Sequence, residues 1–224
     1  MEYSKQLQWL ARNGLGFRDV LINASATNIG LWPNKKRAVD GALTLSDFAV
    51  ILEDDIVLER DALRWFEWHV TSGFIFQRPE VAVATCWSAS SPYDHDVVES
   101  HDYMAFRDLG LLDKFVVQPW ATPWGWATWK RTWDVVGTNW TGQDLVLAQL
   151  VAAQGWFETI PLVARCNNIG SVGFHKRSAT SSHIQQRAVT SASFQTLDRC
   201  AYAELPRKNK TGLLFNEEVY HHLR

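Results

Sequence analysis

The stretch Phe48-Ala-Val-Ile-Leu-Glu-Asp-Asp55 joins five apolar residues to three consecutive carboxylates. An apolar run without polar alternation is typical of a strand buried on both faces of a mainly parallel sheet. Ligands of open α/β sheets bind just beyond the carboxyl ends of such strands. Adjacent acids there repel one another unless a cation lies among them, and their oxygens suit Mg²⁺ or Mn²⁺ shared with phosphates. The stretch therefore predicts a metal–diphosphate site. The alternative is a solvated acidic turn before a helix capped by Asp61.

Strand-like and helix-like segments alternate along the rest of the chain. Strands are predicted at residues 20–22, 48–52 and 81–86. Helices are predicted at 2–12, from Pro33 to about Leu45, after Asp61 until before Pro79, at 126–135 and at 143–154. Residues 87–119 are interpreted as a surface excursion and 165–175 as irregular. The alternation predicts an α/β fold with a mainly parallel sheet flanked by helices.

The composition is that of an ordinary globular protein. Its 224 residues fit one sizeable domain, and its net charge of -2 creates no positive field to attract nucleic acid. The sequence has no signal-peptide pattern and no apolar run that could span a bilayer. The three cysteines are widely separated and fit neither a metal-ligand spacing nor a disulfide framework. We therefore expect a cytoplasmic protein without a transmembrane segment or a nucleic-acid partner.

The chain has twelve tryptophans, several of them crowded into residues 120–133. An indole ring has a flat apolar face and a donor at one edge, so it can pack in a core or form a platform for a sugar ring. We expect Trp126 and Trp129 to be buried. Trp124 is the candidate for the wall of a substrate site.

The order of these motifs resembles the GT-A class of nucleotide-sugar-dependent glycosyltransferases. The matching segments are Asn28-Ile-Gly30, a helix with Lys35, Lys36 and Arg37, the acids Glu53-Asp-Asp55, Trp124–Trp133, and Asn168–His175. They are similar to bacterial family-2-like transferases with a Gly-Trp-Ala-Thr-Trp motif, and less so to the eukaryotic N-acetylglucosaminyltransferase that initiates complex N-glycans. The resemblance implies a Rossmann-like GT-A domain at residues 1–183 with a C-terminal extension at 184–224.

The resemblance also implies roles for individual acids. Asp55 would ligate the Mn²⁺ or Mg²⁺ that bridges the donor's two phosphates, with Asp54 near the ribose or sugar and Glu53 in the same donor site. A divalent cation there stabilises the charge that develops on the departing nucleoside diphosphate. His175 would complete the metal site. His183 is an alternative ligand, and a loop histidine without a ligand role is another.

An inverting transferase needs a carboxylate that deprotonates the acceptor hydroxyl, and the resemblance assigns this role to Asp144. The alternative for Asp144 is a helix N-cap. Asn28, Lys36 and Trp124 complete the predicted donor site. Asn28 could instead shape its loop, Lys36 could face solvent, and Trp124 could form a wall that faces the acceptor. The resemblance implies a UDP-sugar donor and a glycan or another hydroxyl compound as acceptor.

The chain departs from the family at its N-terminus. The strand that precedes the region of Val20 in the family has no counterpart, so the domain is expected to be N-terminally truncated. The alternative function is therefore a catalytically weak or inactive remnant or partner subunit. A third hypothesis is a nucleotidyltransferase that uses strand-end acids with Mg²⁺, although no glycine-rich phosphate loop is present.

Overall fold

In a computed structural model of the protein, the described residues are Trp9, 19–88, 112–168 and 203–204, with only the backbone described for 167–168 and 203–204. The helices are α1 (Leu31–Leu45), α2 (Ala62–Thr71), α3 (Phe74–Gln77), α4 (Lys130–Val136) and α5 (Asp144–Ala153). The strands are β1 (Phe48–Ile51), β2 (Ile56–Leu58), β3 (Val81–Thr85), β4 (Lys114–Gln118), β5 (Trp126–Trp129), β6 (Phe157–Pro161), β7 (Cys166–Asn168) and β8 (Ala203–Glu204).

The strands form a six-stranded sheet in the order β1-β5-β3-β6-β4-β8 and a two-stranded sheet of β2 and β7. In the larger sheet β1/β5, β3/β5 and β4/β6 are antiparallel, whereas β3/β6 and β4/β8 are parallel. The α/β class is confirmed. The expectation of a mainly parallel sheet is wrong for the described strands, because β5 lies between β1 and β3 and runs against both. The strands β1, β3 and β6 still share one direction, so their carboxyl ends meet at one edge.

The segment Trp126–Trp129 is a strand, although a helix was predicted from residue 126. All four side chains are buried, and the backbone pairs with β1 on one side and β3 on the other. The hydroxyl of Thr128 also donates to the carbonyl of Ala82 at 2.9 Å. Two flanking strands thus fix an extended backbone, and the helix begins only at Lys130. The expected burial of Trp126 and Trp129 is confirmed.

Three further expectations differ from the structure. Residues 20–22 form no strand and are exposed, because no described strand pairs with them. The strand β4 lies within the predicted surface excursion, and β7 lies within the stretch predicted to be irregular. Their pairing partners, β6 and β2, are distant in sequence, so the pairing that fixes each extended backbone is not visible in the segments themselves. The predicted helix at 2–12, apart from Trp9, lies outside the described residues.

Helices cover both faces of the larger sheet. On one face, Val39 of α1, Trp133 of α4 and Leu147 of α5 pack in one cluster with Trp126. On the other face, α2 and α3 contribute a second cluster that includes Trp65. The larger sheet is therefore the middle of three layers.

Asp61 lies at the N-cap position of α2, as predicted, but its side chain makes no capping hydrogen bond. Its carboxylate Oδ2 is instead 2.9 Å from Nη1 of Arg165, and both side chains are fully buried. Burial raises the pKa of Asp61, while the positive charge of Arg165 lowers it. This ion pair joins the start of α2 to the residue that precedes β7.

His69 of α2 and Glu158 of β6 are two buried titratable residues. They lie on opposite faces of β6, because His69 contacts Thr159, the residue after Glu158. The ring of His69 donates from Nδ1 to the carbonyl of Trp65 at 2.8 Å, and its Nε2 accepts from the hydroxyl of Thr159 at 2.7 Å. Burial lowers the pKa of His69 to about 4. The neighbouring Glu158 accepts from Gln118 Nε2 at 2.7 Å and from the backbone N–H of Thr122 at 2.6 Å. Burial nevertheless raises the pKa of Glu158 to about 7.

The pKa shifts of His69 and Glu158 predict opposite effects of pH on the free energy of unfolding. Between about pH 4.5 and 6.5 the unfolded chain carries one more proton at His69 than the folded protein, and one fewer at Glu158. The His69 contribution to stability therefore rises with pH, the Glu158 contribution falls, and they nearly cancel. In His69→Gln, the free energy of unfolding should fall with rising pH relative to wild type, by about 1.4 kcal/mol per unit. In Glu158→Gln it should rise by a similar amount.

Urea unfolding at a series of pH values measures both slopes, and the comparison with wild type removes the contributions of all other groups. The double variant serves as the control, since its slope should again match that of wild type. Parallel profiles for wild type and both single variants would show that these shifts are wrong.

Candidate functional site

The three acids Glu53, Asp54 and Asp55 form the turn that connects the two sheets. The turn begins two residues after the end of β1, and the N–H of Ile56, the first residue of β2, donates to the carbonyl of Glu53 at 3.1 Å. Asp54 is exposed, whereas Glu53 and Asp55 are half-buried. The acids thus lie just beyond the carboxyl end of β1, at the edge where ligands of α/β sheets bind.

A buried lysine joins this turn to the start of α5. The ammonium of Lys35 lies 2.6 Å from Glu53 Oε1 and 2.6 Å from Asp144 Oδ1. Lys35 is buried, and Asp144 is about half exposed. The structure therefore places the predicted catalytic acid, Asp144, beside the predicted metal–donor motif, with Lys35 between them.

The spacing of residues along α1 is a sequence signal for the burial of Lys35. Lys35, Val39 and Leu43 are spaced four residues apart and are the buried residues of α1. Residues at this spacing lie on one face of a helix. The apolar partners Val39 and Leu43 thus distinguish Lys35 from the two cations that follow it.

The acids of the site affect the pKa of Glu53. Burial raises the pKa of Glu53, and the negative charges of Asp144 and Asp55 raise it further. The hydrogen bond and the positive charge of Lys35 act in the opposite direction. The three carboxylates therefore lie within electrostatic reach of one another, and a single ammonium offsets their charge only in part.

Asp55 has a buried oxygen that suits a cation. Its Oδ1 is shielded from solvent and has no hydrogen-bond partner. A buried carboxylate oxygen without a partner is energetically costly, and a hard divalent cation would satisfy it. No group of three or more His, Cys, Asp or Glu residues in the described part of the chain is arranged to hold a metal. Mg²⁺ commonly binds through one or two carboxylates together with substrate phosphates and water, so Asp55 fits such an ion.

The predicted metal ligand His175 and its alternative, His183, lie outside the described residues.

Asp144 is the first residue of α5, and Gln143 occupies the N-cap position. The carboxylate of Asp144 contacts Lys35 and is not the N-cap, so the alternative prediction of a simple capping role is wrong. An acid in the first turn is still favoured by the positive end of the helix dipole.

Gly142 permits the close contact between α1 and the loop that leads into α5. It has a φ of 94°, and a Cβ atom added there would lie 2.1 Å from the carbonyl oxygen of Trp32. Any side chain would force the two backbones apart. Because Lys35 is three residues after Trp32 and Asp144 is two residues after Gly142, this contact also brings the ammonium to the carboxylate.

Two of the predicted donor-binding residues make contacts away from the acids. The side chain of Asn28 accepts from the N–H of Gly30 at 2.8 Å, which shapes the loop before α1. The ammonium of Lys36 contacts Asp40 at 3.0 Å and the carbonyl of Gly137 at 2.8 Å. The structure thus brings Lys35, and not Lys36, to the predicted metal motif.

Trp124 lies at the same end of the larger sheet as the acids, beyond the carboxyl ends of β1 and β3. It is half-buried, and its ring meets that of Trp87 edge to face with centroids 4.9 Å apart. The following Gly125 has a φ of 57°, and an added Cβ would lie 2.5 Å from Sγ of Cys86. The carbonyl of Gly125 accepts from the N–H of Cys86 at 2.8 Å, so Trp124 lies beyond the carboxyl end of β3.

Comparisons with known proteins add no assignment to this geometry. No protein-family model matches the chain, and no curated protein matches it. Within the described parts of the chain, no helix has both the length and the apolar character needed to cross a membrane.

The contact at Gly142 generates a prediction with a matched control. Gly142→Ala should lower the free energy of unfolding by about 2 kcal/mol more than Gly155→Ala, since overpacking typically costs 1–3 kcal/mol. Gly155 is the control because its φ is also positive, at 66°, but nothing lies within 4 Å of an added Cβ. Urea unfolding measures both changes. Equal losses of stability would show that α1 and the loop before α5 are not in close contact.

Proposed function

We propose that the protein is a metal-dependent glycosyltransferase of the GT-A type that moves a sugar from a nucleotide-sugar donor to an acceptor hydroxyl with inversion. One observation carries the proposal: Lys35 brings Asp144 and the Glu53–Asp55 turn into one site at the carboxyl edge of β1. The unpartnered oxygen of Asp55 lies in the same turn. A metal ligand and an acid that can accept a proton are the two groups that a metal-assisted inverting glycosyl transfer uses.

The residues have separate tasks in this proposal. Asp55 would hold Mn²⁺ or Mg²⁺ against the donor diphosphate, and the ion would act as a Lewis acid that stabilises the departing charge. Exposed Asp54 would face the ribose or sugar. Asp144 would take the proton of the acceptor hydroxyl on Oδ2, since Lys35 is hydrogen-bonded to Oδ1. A UDP-sugar is the first donor to test, and the half-buried indole of Trp124 at the same edge suits a sugar ring.

A nucleotidyltransferase is the competing enzyme class, since strand-end acids with Mg²⁺ also serve that chemistry. The products distinguish the two classes. Glycosyl transfer releases a nucleoside diphosphate, whereas nucleotidyl transfer releases pyrophosphate. The rings of Trp124 and Trp87 lie beside the acidic turn, and an indole face suits a sugar ring, so this pair favours the glycosyltransferase.

Thermal unfolding with a panel of nucleotide sugars, with and without Mn²⁺, tests the proposal. A donor at about one hundred times its dissociation constant adds about 2.7 kcal/mol of stability. We expect a Mn²⁺-dependent rise in Tm with one donor, absent in Asp55→Ala and retained in Asp134→Ala, whose exposed carboxylate pairs with Lys130. An equal rise in Asp55→Ala would refute the metal assignment. A cooperative transition that no donor shifts would favour the remnant or partner-subunit alternative.

Asp144→Asn should separate binding from transfer. The variant should keep the Mn²⁺-dependent rise in Tm but lose transfer by about 10²–10⁴-fold, the usual contribution of a general base. Release of nucleoside diphosphate in the presence of acceptor measures the rate. Asp134→Asn is the control, since it removes the same charge from another lysine-paired acid. Transfer at the wild-type rate in Asp144→Asn would remove this residue from the chemistry.

A further inference from the structure

Lys35 satisfies two carboxylates that would otherwise be free to bind a cation. Its ammonium is hydrogen-bonded to Oε1 of Glu53 and to Oδ1 of Asp144, each at 2.6 Å. The oxygen Oδ1 of Asp55, in contrast, is buried without a partner. The three acids of the site are therefore not equivalent, because two of them already have an internal cation.

The net charge of the site formed by Lys35 and its three neighbouring acids depends on this lysine. Glu53, Asp55 and Asp144 carry three negative charges and Lys35 one positive charge, so the net charge is -2 when all are ionised. Loss of the ammonium would leave three uncompensated carboxylates in a partly buried site. Several carboxylates without a cation among them attract a divalent ion strongly, and more so where water is partly excluded.

We propose that Lys35 is a positioning residue that keeps Glu53 and Asp144 away from the divalent cation. Asp55 and the donor's phosphates then provide the ligands, and the carboxylate of Asp144 remains available for the acceptor. The inference rests on the proposed function. It has a consequence for binding order: the ion binds weakly to the free protein and tightly together with the donor diphosphate.

A purely structural ion bridge would behave differently. Removal of the lysine would then change the stability of the fold but not its affinity for a divalent ion. Affinity for Mn²⁺ alone, measured without nucleotide, thus separates a positioning role from a structural one and does not depend on activity.

The experiment is a titration of free Mn²⁺ by electron paramagnetic resonance, with the full chain and no nucleotide. Lys35→Met should bind Mn²⁺ at least tenfold more tightly than wild type, whereas Lys35→Arg, which keeps the charge, should resemble wild type. Lys130→Met is the control, because it removes an exposed ammonium that pairs with Asp134. Adding Glu53→Gln to Lys35→Met should reverse much of the gain, since Glu53 is one of the acids that the lysine occupies.

Unchanged or weaker Mn²⁺ affinity in Lys35→Met would overturn the inference. If that variant does not fold alone, circular dichroism with millimolar Mn²⁺ gives the answer: restored folding supports the inference, and no restoration overturns it. The outcomes also separate this inference from the proposed function. A wild-type protein that binds a donor with Mn²⁺, beside a Lys35→Met variant of unchanged Mn²⁺ affinity, retains the function and rejects the role of Lys35.

Discussion

The ammonium of Lys35 is the contact on which the site depends. Its two partners, Glu53 and Asp144, are 18 and 109 residues away in sequence, and each lies 2.6 Å from Nζ. A buried charge is costly unless it is paired and hydrogen-bonded, and the two acids meet this need for the lysine that α1 buries. The turn after β1 and the first residue of α5 are thereby held together, and Gly142 supplies the close backbone approach that this requires.

The sheet places the aromatic residues at the same edge as the acids. Because β5 runs against β1 and β3, its first residue, Trp126, pairs with Ile51 and Thr85 near the carboxyl ends of both strands. The preceding Trp124 and Gly125 consequently lie near the acidic turn. The antiparallel strand is thus a functional feature of the proposed site as well as a departure from the expected sheet.

Local patterns were sufficient to predict much of the fold. The apolar runs of β1 and β3, Pro33 in the first turn of α1 and Gly142 before α5 are signals that lie within or beside the elements they predict, and all four of these elements are present. The strand at Trp126–Trp129 was missed because four residues of mixed size fit either periodicity, and two neighbouring strands decide between them. β4 was missed because its pairing with β6 is not visible in its own five residues.

The candidate site was predicted in part. The acids after β1 and Asp144 were chosen from motif order, and the structure brings them together. Motif order alone does not distinguish Lys35 from Lys36, because consecutive cations on a helix mostly face solvent. Glu158 was not considered, since a lone glutamate in a short strand gives no sign that its carboxylate is fully buried.

A thermodynamic double-mutant cycle between Lys35→Met and Asp144→Asn tests the central claim, that one ammonium holds the two halves of the site together. Urea unfolding of wild type, both single variants and the double variant gives the coupling free energy. We predict a coupling of about 1 kcal/mol or more, larger than that of the exposed pair Lys130–Asp134, for which about 0.5 kcal/mol is expected. Losses of stability that add within about 0.3 kcal/mol would contradict the account.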